Sequence, residues 1–159
     1  MTGSAVQQER IKPLNDRRDA PGRFVLYWMQ AAQRAECNHA LEYAIERANG
    51  LAIPVVVYFG LTAKYPEANE RHYRFMLEGL AEVRSALEKR GIRLVVRAVP
   101  SPEIGAVELS KDAALVVVDR DYLRHTRAWR AAAARRMECP LIQVETNVVV
   151  PVEEASPKE

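Results

Sequence analysis

The residues best suited to bind a ligand lie in a short turn after the first strongly apolar segment of the sequence. This turn, residues 28–34, reads Trp-Met-Gln-Ala-Ala-Gln-Arg. An aromatic ring can stack on a flat heterocycle, and amide and guanidinium groups can form hydrogen bonds with the edge of that ring system. We therefore take Trp28, Met29, Gln33 and Arg34 as candidate ligand-binding residues. The alternative is that Trp28 belongs to the core and that Arg34 is a solvated residue where a helix starts.

A second group of candidates follows a later apolar segment and reads Asp-Arg-Asp-Tyr-Leu-Arg over residues 119–124. Asp119 could accept a hydrogen bond from a ligand, or it could cap the helix that follows it. Tyr122 and Arg124 are further candidates from the same stretch. Phe59, at the end of another apolar segment, completes the predicted ligand-binding set.

A third feature is a series of arginines on one predicted helix. Its members are Arg120, Arg124, Arg127, Arg130, Arg135 and Arg136. Such a face is suited to contact phosphate groups. A solvated helix face explains the same run of charges, and both interpretations stay open.

The sequence contains no standard catalytic or cofactor motif. Its glycines form neither a GxGxxG fingerprint nor a P-loop. It has no GxSxG elbow and no HExxH pair, and the three histidines stand singly on predicted helices. The two cysteines, Cys37 and Cys139, are far apart in the sequence, which favours two reduced thiols over a zinc site.

The elements that must position these candidates alternate between strands and helices. Apolar runs predict strands over residues 24–28, 54–59, 92–96, 114–118 and 141–144. Helical spacing predicts helices over residues 37–48, 70–90, 103–110 and 122–137. We expect Asn49 and Gly50 to stop the first of these helices and Asn69 to cap the second, whose buried stripe includes Leu77. This alternation predicts an α/β fold, with a five-stranded parallel, doubly wound (Rossmann-like) sheet and helices on both faces. Such sheets bind ligands at the carboxyl ends of their strands, where all the candidate residues fall.

Length and composition predict one globular domain. The chain has 159 residues, of which 48% are apolar and 28% charged, with a formal net charge of +2. We expect residues 1–22 to form a flexible N-terminal arm and residues 23–150 to form the domain. The arm lacks the apolar core of a secretory signal, and no apolar run is long enough for a membrane span. We therefore expect a cytoplasmic protein with no membrane partner.

Three stretches of the sequence resemble class II cyclobutane-pyrimidine-dimer photolyases, within the photolyase/cryptochrome family. They read VLYWMQ (residues 25–30), LEYAI (41–45) and PEANERHYRFMLEGL (66–80). The likeness runs from about Arg10 to the last residue, and it covers only the first part of the family's protein. The resemblance implies the N-terminal α/β (antenna) domain of that family, with residues 151–159 as the start of a linker toward an absent helical domain.

The resemblance also implies a function in light-driven DNA repair. In this family the helical domain binds FAD and the flipped thymine dimer and splits the dimer after light absorption. The α/β domain holds an antenna pigment, a deazaflavin (8-HDF type) in many members, that passes excitation energy to FAD. The implied activity is that of a deoxyribodipyrimidine photo-lyase, a carbon–carbon lyase. FAD and damaged DNA would be bound only by the missing domain, so this chain alone would perform no repair.

The sequence departs from the family pattern at the candidate turn and near its end. Ala31 and Ala32 replace an arginine–aspartate pair of the family, and Asn147 and Glu153 replace a histidine and a tryptophan. The resemblance also implies a partner for this chain, namely a separately encoded FAD-binding half. The alternative is a stand-alone, non-enzymatic nucleotide-binding or interaction module derived from a photolyase.

Overall fold

The computed structural model describes residues 6–156 and shows one sheet with helices on both faces. The strands are β1 (Ile11–Pro13), β2 (Phe24–Trp28), β3 (Val55–Leu61), β4 (Arg93–Ala98), β5 (Ala113–Asp119) and β6 (Leu141–Val144). The helices are α1 (His39–Leu51), α2 (Glu70–Glu88), α3 (Pro102–Ser110), α4 (Arg124–Arg136) and α5 (Val152–Ala155). A single 3-10 turn, Gln8–Arg10, precedes β1.

The sheet has six strands rather than the predicted five. Their order is β1-β6-β5-β2-β3-β4, and all neighbours are parallel except β1, which pairs antiparallel with β6. The Rossmann-like α/β class is therefore confirmed, while the strand count was wrong. The extra strand, Ile11–Pro13, lies within the predicted arm. This strand has only three residues, so it contains no apolar pattern from which a strand could be predicted. It ends in a proline, which is tolerated at the edge of a sheet.

The order of the strands reverses beside β2. From β2 the chain moves outward through β3 to β4, and it then returns to the other side of β2 to form β5 and β6. The connection that leaves β2 and the connection that enters β5 therefore run to opposite sides of the sheet order. Ligands usually bind at the carboxyl ends of the two strands beside such a point, here β2 and β5.

Both faces of the central strand are buried, which explains its continuous apolar run. Val25 and Tyr27 belong to the core on the α1 side, while Leu26 and Trp28 belong to the core on the α3 and α4 side. All four side chains are completely buried. The turn after β2 therefore follows directly from a strand that is packed on both faces.

Helix α1 ends later than predicted, and one residue predicted to be buried in α2 is exposed. We expected Asn49 and Gly50 to stop α1, but the helix continues to Leu51 and ends at Ala52, whose φ of 54° is left-handed. Asn69 caps α2 as predicted, by accepting hydrogen bonds from two backbone N–H groups of the first turn. Leu77, expected in the buried stripe of α2, is exposed.

Candidate functional site

A cavity of about 890 Å³ opens at the carboxyl edge of the sheet. It lies between the turn after β2, the end of β3, the loop over residues 62–69, α2 and α4. Four of the predicted residues line it: Trp28, Met29, Gln33 and Phe59. The cavity therefore lies where the order of the strands predicts a ligand.

Asp119 shapes the turn that forms one wall of this cavity. Its carboxylate is completely buried and accepts hydrogen bonds from the backbone N–H groups of Gln30 (2.7 Å), Ala31 (2.6 Å) and Ala32 (2.9 Å). The Tyr27 hydroxyl donates a fourth at 3.0 Å. Burial raises the pKa of the Asp119 carboxyl above its ordinary value, although these hydrogen bonds oppose the shift. Asp119 thus stabilises the turn: it does not line the cavity, and it does not cap α4.

Two buried hydrogen-bond donors on the cavity wall have no hydrogen-bond partner among residues 6–156. They are the indole Nε1 of Trp28 and the amide Nε2 of Gln30. The amide of Gln30 is held in place because its Oε1 accepts from Arg130 Nη1 at 3.1 Å. A buried donor without a partner costs about 1–3 kcal/mol. A ligand that carries acceptor atoms would remove this cost.

Three rings join the loop over residues 62–69 to α4 beside the cavity. The ring of Tyr65 lies edge-on to His125 at a centroid distance of 4.7 Å, and His125 lies 5.1 Å from Trp129. Tyr65 and Trp129 also line the cavity. Burial raises the pKa of the Tyr65 hydroxyl above its ordinary value. The lining of the cavity thus includes the aromatic rings of Tyr65 and Trp129 in addition to those of Trp28 and Phe59.

Arg34, predicted to bind a ligand, is directed to another part of the chain. Its guanidinium group donates to the Asn147 side chain at 2.8 Å and to the backbone oxygens of Thr146 and Cys37. It therefore connects the turn after β2 to the segment after β6, and it does not line the cavity. Asn147, one of the departures from the family pattern, is its acceptor.

Tyr122 and Arg124 also lie outside the cavity wall. The Tyr122 hydroxyl donates to the buried carboxylate of Glu145, and the Arg120 guanidinium carbon lies 4.8 Å from the centre of the Tyr122 ring. Burial and the adjacent Glu145 carboxylate raise the pKa of Tyr122 to about 12. Arg124 is exposed at the first position of α4. Two other residues of the stretch over 119–124, Asp121 and Leu123, do line the cavity, so this stretch contributes both structural contacts and part of the cavity wall.

Sequence reasoning missed several residues of the cavity wall. Gln30 belongs to the predicted turn, but only its unpartnered donor distinguishes it from its neighbours. Tyr65 reaches the cavity from a loop, and Trp129 from the inward face of α4. An aromatic residue on a loop carries no periodic signal, so no local pattern predicts its position.

The described residues show neither a metal centre nor a membrane segment. Within residues 6–156, no group of three or more His, Cys, Asp or Glu side chains is arranged to hold a metal ion. In the same range, every helix is too short or too polar to cross a membrane.

Comparison with known proteins relates the chain to one family. A family model described as DNA photolyase matches residues 25–159. A deoxyribodipyrimidine photo-lyase of Methanothermobacter thermautotrophicus is 52% identical over 97% of the chain, and one of Potorous tridactylus is 32% identical over 84%. The chain spans 35% and 26% of these two relatives, about a third of their length or less.

Solved structures share the fold at low sequence identity. A functionally unknown protein from Pseudomonas aeruginosa PAO1 matches with a TM-score of 0.58 and 14% identity, over 94% of this chain and 56% of its own. A universal stress protein from Archaeoglobus fulgidus matches with a TM-score of 0.54 and 17% identity, over 76% of this chain and 98% of its own. At such identities the likeness concerns the fold alone.

Proposed function

The chain belongs to the DNA photolyase family, and from this premise we propose that it is the antenna-pigment domain of a class II deoxyribodipyrimidine photo-lyase. The observation that carries the proposal is the cavity at the carboxyl edge of the sheet, with the unpartnered donors of Trp28 and Gln30 on its wall. A deazaflavin is the pigment that we propose for it. When bound, the pigment would absorb light and pass the excitation energy to a flavin.

The residues of the cavity match the chemistry of such a pigment. A deazaflavin is a flat tricyclic heterocycle with carbonyl oxygens at one edge. The rings of Trp28, Phe59 and Trp129 supply apolar surface for a flat ring system, and the two unpartnered donors supply hydrogen bonds for acceptor atoms. A volume of about 890 Å³ is within the range of small-molecule sites.

We propose that other parts of the photolyase carry out the remaining steps of the repair reaction. We place the α/β domain at residues 23–150, with the edge strand β1 added to its sheet from the preceding segment, and the start of a linker at residues 151–159. FAD and the damaged DNA would be bound by a helical domain that follows this linker or by a separately encoded half. Under this proposal the chain alone does not split pyrimidine dimers.

A titration of the purified chain with an 8-hydroxy-5-deazaflavin tests the antenna role. We expect the fluorescence polarisation of the pigment to rise and tryptophan emission to fall with a single saturable isotherm. Gln30→Glu keeps the acceptor for Arg130 but removes the unpartnered donor, so we expect at least a tenfold weaker affinity, or about 1.4 kcal/mol. Gln33→Glu is the matched control, because the amide nitrogen of Gln33 already donates to the Gln30 backbone oxygen at 3.1 Å.

Two outcomes would count against the antenna role. No change in polarisation at high micromolar pigment would refute it for this chain. A tighter, saturable response to AMP or ATP in the same assay would favour the stand-alone nucleotide-binding module instead. Equal losses in both glutamate variants would show that added charge, and not the donor of Gln30, determines affinity.

A further inference from the structure

The outward face of α4 carries a line of arginines that the cavity does not use. The exposed residues of this helix are Arg124, Arg127, Ala128, Ala131, Arg135 and Arg136. Residues three, four, seven and eleven positions apart lie on one side of an α-helix. We call Arg124, Arg127, Arg135 and Arg136 the arginine stripe. At 1.5 Å per residue the stripe is about 18 Å long.

The charge of the arginine stripe is not balanced within α4. The helix contains no Asp or Glu, whereas α2 contains four glutamates in addition to three arginines. In residues 6–156, no guanidinium group of the stripe forms an ion pair or a side-chain hydrogen bond with another residue. Two acids of other segments already have partners: Glu108 pairs with Arg97, and Asp19 pairs with Arg47.

Two of the four arginines of the stripe oppose the electrostatics of their own helix, whereas Arg135 and Arg136 lie in the last turn, where the helix dipole favours cations. Arg124 and Arg127 lie in the first turn, where the positive end of the helix dipole disfavours cations. The first turn contains no acidic residue, and the nearest acid, Asp121, accepts from the backbone N–H groups of Tyr122 and Leu123 ahead of the helix. Like charges three residues apart add further repulsion. The first turn of α4 therefore carries an unfavourable electrostatic energy that an external polyanion would relieve.

We propose that the arginine stripe of α4 docks on the phosphate backbone of duplex DNA. Guanidinium groups bind phosphate with paired hydrogen bonds, and a stripe of about 18 Å spans about five phosphates of one strand along the duplex axis. The exposed residues of α4 between the arginines are Ala128 and Ala131, so this helix face presents no large apolar side chain to insert into a membrane or to anchor a protein interface, although the exposed Leu123 directly precedes it. This contact is additional to any DNA binding by a helical domain, and it does not depend on the pigment.

A loop at the end of α4 extends the same surface. Asn15 donates to the Cys139 backbone oxygen at 3.1 Å, which places the exposed Arg17 and Arg18 close to the end of α4. Two exposed acids, Asp16 and Glu138, lie in the same region and reduce its net charge. The stripe itself is therefore the part to test.

The test is the salt dependence of DNA binding by the full chain. We would titrate a fluorescein-labelled duplex of about 25 base pairs and follow its anisotropy at about 50 to 200 mM NaCl. We expect a dissociation constant on the order of 10–100 µM, and a slope of log K against log salt of about −3 to −4 for four phosphate contacts. The test variant carries Arg124→Gln, Arg127→Gln, Arg135→Gln and Arg136→Gln. It should lose at least about tenfold in affinity and most of the slope.

A matched variant separates the stripe from total charge. Arg71→Gln, Arg74→Gln, Arg84→Gln and Arg93→Gln remove the same charge from exposed positions outside α4. We expect this control to bind within about twofold of the wild type after correction for total charge. If the fourfold stripe variant does not fold, as judged by circular dichroism, the double variant Arg124→Gln/Arg127→Gln should still lose about half of the slope.

Three results would overturn the proposal. The first is no saturable DNA binding at low salt, and the second is an equal loss in the stripe variant and the control. The third is binding to phosphatidylglycerol vesicles through the same arginines with no binding to DNA, which would assign the stripe to a membrane surface. Unchanged pigment binding in the stripe variant would show that the two sites are separate.

Discussion

At the residue scale, the shape of the candidate site depends on one buried carboxylate. Asp119 ends β5, which neighbours β2 in the sheet, so its side chain reaches the backbone of the turn after β2. Three consecutive N–H groups of this turn, from residues 30–32, converge on the carboxylate oxygens. These N–H groups have no strand or helix partner, and buried backbone donors must be satisfied. Asp119 therefore fixes the backbone that carries Gln30 and Ala31 into the cavity.

We predict that Asp119→Asn lowers the free energy of unfolding by about 3 kcal/mol. An asparagine turns one acceptor oxygen into a donor, which then faces backbone donors that cannot move away. Urea denaturation followed by circular dichroism measures the change. Asp121→Asn, at a half-buried position with two local acceptor bonds, should cost about 1 kcal/mol or less. Similar losses in the two variants would contradict the role assigned to Asp119.

The position of the cavity could be predicted from the sequence, but most side-chain roles could not. Trp28 ends β2, Met29 follows it and Phe59 lies near the end of β3. The ends of the apolar runs in the sequence therefore predict that these residues lie at the carboxyl edge of the sheet, where they line the cavity. Arg34 was predicted to bind a ligand, yet its acceptor at Asn147 lies 113 residues away in the chain. A local rule also suggested that Asp119 could cap α4, while its actual partners are 87–92 residues distant. Such partners become neighbours only through the sheet.

At the scale of elements, α3 lies close to β3 because of a glycine. A Cβ atom on Gly105 would stand 2.1 Å from the Tyr58 hydroxyl oxygen, well inside van der Waals contact. The same hydroxyl donates to the Pro102 backbone oxygen at 3.1 Å, which ties the start of α3 to the strand. Because Pro102 and the end of β3 line the cavity, this contact also positions part of its wall.

We predict opposite effects for two alanine substitutions at helical glycines. Gly105→Ala should lower the free energy of unfolding by about 2–3 kcal/mol, because the new methyl group displaces Tyr58 or α3. Gly79→Ala, in α2, meets no atom within 4 Å and should raise stability by up to about 1 kcal/mol through helix propensity. Thermal unfolding of both variants measures the difference. A stabilised Gly105→Ala variant would show that α3 is not held close to β3.

A cluster of charges holds α5 against the sheet edge. Arg120 lies between Glu145, whose side chain is 2% exposed, and Glu153 on α5. The hydrogen bond from Arg120 lowers the pKa of the Glu153 carboxyl below its ordinary value. Because the pKa is lower in the folded chain, the stabilisation is complete above the ordinary glutamate pKa and is lost as pH falls through the folded value.

We predict that Glu153→Gln costs about 1 kcal/mol or less at neutral pH and nothing at acid pH. The effect is small because the Glu153 side chain is 39% exposed, so solvent screens the ion pair. Urea denaturation of the wild type and the variant across the acid range measures the difference. Glu154→Gln, at the exposed neighbouring position, is the control. The difference in unfolding free energy between this variant and the wild type should not change with pH. A difference that persists at acid pH would exclude the charge of Glu153 as its cause.

The types of the main elements were predictable from periodicity, whereas their ends were not. The strand β2 was predicted at its observed bounds because both of its faces are buried. The end of α1 passed the Asn49–Gly50 signal, since Ala52 takes the left-handed conformation and Ile53 donates to the Ala48 backbone oxygen at 3.1 Å. Tertiary packing thus selected a later stop than the local residues indicated.

At the scale of the whole molecule, the first and last described segments stabilise each other. The strand β1 covers the edge of β6, all of whose residues are buried, and so keeps a buried strand from becoming an open edge. Before β1, the Arg10 side chain is only 7% exposed and donates to the backbone oxygens of Val148 (2.9 Å) and Val149 (2.6 Å). The Arg10 backbone oxygen accepts from Glu145 in return. Sequence patterns do not predict this contact, because it joins residues about 138 positions apart.

This contact leads to a prediction about how the ends of the domain stay folded. Arg10→Met keeps the apolar stem but removes the donors, so it should cost about 2 kcal/mol of unfolding free energy. Hydrogen exchange should accelerate at the Glu145 amide and along β1, while amides of β2 and β5 keep their protection. Lys12→Met removes the same charge two residues later from a side chain that is 63% exposed, and it should cost less than about 0.5 kcal/mol. If exchange instead accelerates evenly across the sheet, the two ends do not open as a separate unit, and the contact contributes only to global stability.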